Sequence, residues 1–146
     1  MRTVGLAVLT VMAMGCHFDK LFSGTGGSQA QSGGTASAAA HLIFATQPSN
    51  SSAGATISPP VRVAALDDQG DTVTAFHGTV SLAIQRDGSA LGGARLSGTT
   101  TNVPFVNGIA TFPDLRIDQP GLNPFTLQAR TGALSDVESG SFYVGP

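Results

Sequence analysis

The chain of 146 residues is long enough for one ordinary domain plus a tail, and too short for two. Charged residues make up 11%, with 7 Lys+Arg against 9 Asp+Glu and a net charge of −2, so no basic stripe exists to neutralise phosphates and nucleic-acid binding is disfavoured. The single cysteine excludes an internal disulfide framework and a thiolate metal cluster, while Gly 19, Pro 8, no Trp and one Tyr imply many turns and few stacking platforms.

Met1 and Arg2 form a short positive start, and Val4 to Met14 is a largely apolar run of 11 residues. A spanning helix needs roughly 20 apolar residues, so this run is too short for a permanent membrane span and has the length of a secretory core. Ala13-Met14-Gly15-Cys16 follows, and here the chain resembles bacterial lipoprotein precursors, which place a small residue directly before a lipid-bearing cysteine. Ala13 departs from the Leu usual in that family. The resemblance implies a signal peptide over 1–15 and a diacylglyceryl thioether on Cys16, with the amine freed by cleavage open to acylation. Each buried methylene contributes about 0.8 kcal/mol, so two or three chains hold where one would not. Cys16 is then a modified residue rather than a nucleophile. Cleavage removes Arg2 and leaves 6 Lys+Arg against 9 Asp+Glu, a net charge of −3. The next residue is His17, not the Asp that marks inner-membrane retention in enterobacterial lipoproteins, which leans towards an outer-membrane destination. The expected location is lipid-anchored at a cell membrane or outer membrane, facing periplasm or exterior.

Residues 16–40 read as the lipidated cysteine and a tether. From 23 to 40, SGTGGSQAQSGGTASAAA holds nothing larger than Gln. A tract that buries so little apolar surface cannot offset its ordering entropy, and its root-mean-square span as a coil is about 25 Å.

From His41 to Pro146 the pattern has period two, interrupted by turns about every ten residues. Val61, Val63 and Ala65 alternate with Arg62 and Ala64; Val80, Leu82 and Ile84 alternate with Ser81 and Ala83. Phe125, Leu127 and Ala129 alternate with Thr126, Gln128 and Arg130, which predicts the first three buried and the last three exposed. Asn107-Gly108 is a type I′ hairpin signal, because both residues tolerate positive φ. It would pair Val106 with Ile109 and Phe105 with Ala110, placing Val103, Phe105, Ala110 and Phe112 on one apolar face. Asp67 to Asp71 forms a looser turn between Leu66 and Thr72. Pro59-Pro60, Pro113 and Pro124 fall at run edges, where a missing N–H does least harm. The expectation is an all-β, two-sheet antiparallel sandwich of about seven or eight strands over residues 41–146.

The segments LIFATQPSNSSAGATISPPVRVAALDDQGDTV, GTVSLAI, VNGIATFPDLRID, PFTLQARTGAL and SGSFYV resemble bacterial immunoglobulin-like domains, broadly of the invasin and intimin kind. That resemblance covers nearly all of residues 42–144 and implies a stalk, binding or adhesion module whose fold carries no catalytic residues. Such modules usually occur in tandem, and this chain has one copy. The antibody hallmarks, a bridging disulfide and a core Trp, are absent.

Candidate sites are few. His41 and His77 make no HxxxH or HExxH spacing, and no G-x-S-x-G elbow is present, so no catalytic residue and no cofactor is assigned. Asp67, Asp68 and Asp71 are the weak metal candidates: three hard carboxylates beside a glycine suit calcium, but Asp and Gly are also favoured in turns for local hydrogen bonding and positive φ. The turn is the preferred reading. Tyr143 is expected to face outward between inward Phe142 and Val144. Gly88 to Gly98, the longest irregular stretch, reads equally as a binding loop or a slack crossover. Edge strands and loop ends are the expected contact surfaces for a protein or surface-polymer partner. The function read from the sequence is thus an anchored binding or spacing module, held to membrane lipid through Cys16. A calcium-dependent adhesion module and an accessory hydrolase are the alternatives.

Overall fold

The computed structural model describes residues 37–146, and these form an all-β unit. The apolar run, Cys16 and the tether as far as residue 36 lie outside the described residues. Eleven strand segments occur in chain order: β1 His41–Thr46, β2 Ser51–Ser52, β3 Val61–Leu66, β4 Thr79–Arg86, β5 Leu96–Ser97, β6 Val103–Pro104, β7 Ile109–Phe112, β8 Arg116–Ile117, β9 Thr126–Arg130, β10 Val137–Glu138 and β11 Val144–Gly145. Turn residues break the margins into two-residue pieces, and only β1, β3, β4, β7 and β9 are longer.

One sheet has the order β1-β3-β7 and the other β10-β9-β4-β6, all antiparallel. Short ribbons β5-β8 and β2-β11 complete the sandwich, and the second of these is parallel, unlike the all-antiparallel arrangement expected. The core lies between the two main sheets. Leu42, Phe44, Val61, Val63, Ala65, Ala110 and Phe112 from the first sheet join one buried cluster with Val80, Leu82, Val103, Leu127 and Ala129 from the second. Phe125 and Phe142 are stacked at a tilt near one end, centroids 6.1 Å apart, and Phe76 meets Phe105 edge-on at 4.9 Å.

The period-two pattern holds with exceptions, among them half-buried Ile84 and Gln128 and two outward positions that are buried. Ala64, on the outward side of β3, is buried as well, because its register partners are Ile43 on β1 and Ile109 on β7 and their larger side chains flank it. Thr126 was expected on the exposed face of β9 but is only 6% exposed. Its hydroxyl donates to Glu138 Oε1 at 2.6 Å from neighbouring β10, so an edge strand covers the position and satisfies the polar atom. Gln128 is half-buried beside it, and Arg130 is exposed as expected, ion-paired with Asp136 at 3.2 Å.

The Asn107-Gly108 turn has φ of 51° and 76°, as a type I′ turn demands, with reciprocal bonds Val106 N–H to Ile109 O at 2.9 Å and Ile109 N–H to Val106 O at 3.1 Å. The hairpin is shorter than its sequence implied. Phe105 N–H donates to Gly78 O rather than pairing with Ala110, because β6 belongs to the second sheet and β7 to the first. The turn therefore carries the chain across the sandwich. Its apolar set is nonetheless all buried: Val103, Phe105, Ala110 and Phe112.

Residues 37–40, read from the sequence as the end of the tether, are joined to the sandwich. Ala40 N–H donates to Leu66 O at 2.7 Å and Ala39 packs against the core. Small side chains thus join the module through backbone hydrogen bonding.

Candidate functional site

Strand register sorts the loops into two ends. At one end the chain enters β1 beside Leu66, and there lie the Asp67–Asp71 turn and the tip of the Asn107-Gly108 hairpin. At the other end β4 finishes at Arg86, opposite Thr126, so loops 87–95, 118–124 and 141–146 gather there.

In the first end, Asp67 is buried while Asp68 and Asp71 are exposed. Asp67 Oδ1 accepts the N–H groups of Gln69 at 3.0 Å and Asp71 at 2.9 Å, and Gly70 takes φ of 90° to close the turn. The Ser37 side chain and those backbone donors hold the Asp67 carboxyl below its ordinary value. Its oxygens are engaged with the loop's own donors, which is the turn chemistry that Asp and Gly favour. The structure does not bring His41 and His77 into any ligand set with these carboxylates, and among the described residues no group of three or more His, Cys, Asp or Glu could hold a metal. Both histidines are exposed.

The second end is more elaborate. Segment 87–99 is neither slack nor open, because three carboxylates tie it down. Asp87 accepts Ser89 N–H through Oδ1 at 2.9 Å, and Gly93 and Ala94 N–H through Oδ2 at 2.7 and 3.1 Å. Asp118 Oδ1 accepts Arg95 N–H at 2.7 Å, and Asp114 takes both the N–H and the hydroxyl of Thr99 at 2.8 and 3.0 Å. The Ser89, Gly93 and Ala94 donors lower the Asp87 pKa, and the Thr99 donors lower that of Asp114. Asp-Gly-Ser at 87–89 is a local turn signal, but Asp114 and Asp118 act across 15 and 23 residues, a spacing that no sequence pattern marks.

Gly121 is the junction of this end. It bridges to Ser89 on one side, and its N–H donates to Val144 O at 2.8 Å on the other. Three large apolar or aromatic side chains stand around that junction exposed: Leu91 at 96%, Leu122 at 81% and Tyr143 at 51%. Tyr143 faces outward as its alternation predicted, between buried Phe142 and Val144. Arg86 and Arg95 are also exposed here, and neither makes an ion pair among the described residues. A hydrogen-bonded loop cluster with projecting leucines, one phenol and two guanidinium groups can form contacts with a partner surface.

No protein-family model matches the chain, and no curated protein matches it.

Proposed function

We propose that this protein is a bacterial envelope lipoprotein whose immunoglobulin-like β-sandwich serves as a binding, adhesion or spacing module. The observation that carries the reading is Cys16, the chain's lone cysteine, placed directly after Gly15 at the close of an 11-residue apolar run. A thiol at that position can take a diacylglyceryl group, and a stretch of small residues then separates it from the sandwich. Cys16 would hold membrane lipid, and the edge strands of the sandwich would offer the contact surface for a protein or surface-polymer partner.

The sandwich supports a module that acts by contact, since its polar side chains are spent on its own loops. Asp87, Asp114 and Asp118 organise backbone rather than converging on a cleft. The experiment is labelling with a fatty-acid probe in a bacterial host. The parent chain should incorporate the label, while Cys16→Ser should not and should accumulate as an uncleaved or soluble product. Equal labelling of the two chains overturns the lipoprotein reading.

A further inference from the structure

We infer that the loop end around Gly121 is a second membrane contact, inserting Leu91 and Leu122 into a phospholipid bilayer. The inference rests on the lipoprotein reading for its physiological setting, and on the loop geometry for its chemistry.

Three features point to a lipid surface. First, Leu91 and Leu122 are projections from adjacent loops, 96% and 81% exposed, rather than the walls of a groove. A soft bilayer accepts convex apolar tips without a complementary pocket, and burying each leucine is favourable in proportion to the apolar area removed from water. Second, Tyr143 stands beside them half-exposed, and an amphipathic ring suits the boundary between headgroups and acyl chains. Third, the charges are oriented. The carboxylates of Asp87 and Asp118 are turned onto backbone N–H groups of the loops, whereas the guanidinium groups of Arg86 and Arg95 are left without an ion pair among the described residues. Those carboxylates stay ionised and balance the two guanidinium groups, so the apolar tips carry the contact and the unpaired guanidinium groups are left to meet headgroup phosphates.

Chain length permits the contact. This end is opposite the one where the chain enters β1, so the tether must be long enough to span the sandwich. The eight residues of β4 set the length of the sandwich at about 26 Å, from a rise of about 3.3 Å per residue. Residues 17–36 can reach up to about 66 Å when extended, at roughly 3.3 Å per residue, well beyond that length. The lipid on Cys16 already holds the chain at the bilayer, and the inserted leucines would then fix the orientation of the sandwich on it.

Tyr143 is the only tyrosine and the chain has no Trp, so it reports on this end alone. The full chain, purified with its fatty acid attached, is reconstituted into phosphatidylglycerol–phosphatidylethanolamine vesicles with plain or brominated acyl chains. Tyr143 emission should be quenched in the brominated vesicles. The double variant L91D/L122D should recover it, each substitution weakening insertion by on the order of tenfold, while fatty-acid label and denaturation midpoint stay at parental values. Equal emission in the two vesicle types, with the fatty acid present, overturns the inference and leaves the end pointing away from the bilayer for a protein partner. Undiminished quenching in L91D/L122D overturns it as well. Absence of the fatty acid is scored separately on the same sample, and it counts against the anchor rather than the loops.

Discussion

Gly70 and Gly108 both take positive φ, at 90° and 76°, and both lie in turns at the same end of the sandwich. Alanine at either position incurs the left-handed backbone penalty, about 1–2 kcal/mol. Only Gly108 meets a further obstacle. A Cβ there would sit 2.5 Å from Val73 O and 2.8 Å from Thr72 Cγ2, whereas a Cβ on Gly70 meets nothing within 4 Å. To make room, segment 72–73 and the hairpin tip must move apart, straining the two backbone bonds that tie each to β3: Ala65 N–H to Gly108 O and Val73 N–H to Ala65 O, both 2.9 Å. Each is worth about 1 kcal/mol, so Gly108→Ala should cost about 3–4 kcal/mol in all against about 1–2 for Gly70→Ala. With a urea slope of about 2 kcal/mol/M, the midpoint should fall by about 1.5–2 M for Gly108→Ala and about 0.5–1 M for Gly70→Ala. Urea titration of the two variants, followed by circular dichroism, measures the difference. Equal midpoint shifts would refute the close packing of the hairpin tip on segment 72–73.

Phe125→Ala removes a fully buried ring and should cost about 3–5 kcal/mol, while Gln128→Ala, half-buried on the other face of β9, should cost less than about 1, both read by denaturant midpoints. Thr126→Ala deletes the donor to Glu138 and should cost about 1–2 kcal/mol; in a double-mutant cycle with Glu138→Ala the pair should couple by about 0.5–1.5 kcal/mol, and zero coupling would sink the contact. Asp67, Asp87 and Asp114 all have pKa values lowered from 3.8 in the folded state, so the unfolded chain binds more protons in acid. Their contribution is complete above that value and is lost as pH falls below it. Thermal midpoints should therefore hold near pH 6 and drop below about pH 4, and Asp87→Asn should flatten that acid slope.

The core faces of β3, β4 and β9 were legible because strict alternation of Val, Leu and Phe with smaller or polar residues fixes which side is buried. Asn107-Gly108 was legible for a similar reason, since only a few residues accept two successive positive φ values. What sequence could not convey was contact made from a third element. Ala64 is buried by isoleucines on two other strands, and Thr126 by a glutamate on a two-residue edge strand. The hairpin's change of sheet was hidden likewise, because local turn chemistry does not say which sheet each arm joins. At the candidate site, Tyr143's outward face followed from alternation alone. The order in segment 87–99 did not, because Asp114 and Asp118 come from across the β5-β8 ribbon. Exposure of Leu91 and Leu122 was equally silent, as a leucine in a glycine-rich stretch reads the same whether it packs or projects.

We propose that Cys16 is where the chain begins once processed and where it meets lipid. Intact-mass spectrometry of the protein extracted from bacterial envelopes tests this most directly. The mass should equal that of a chain starting at Cys16 plus a diacylglyceryl group and, where the amine is acylated, one further fatty acid. A mass matching an unmodified cysteine, or a chain still starting at Met1 without lipid, would contradict it.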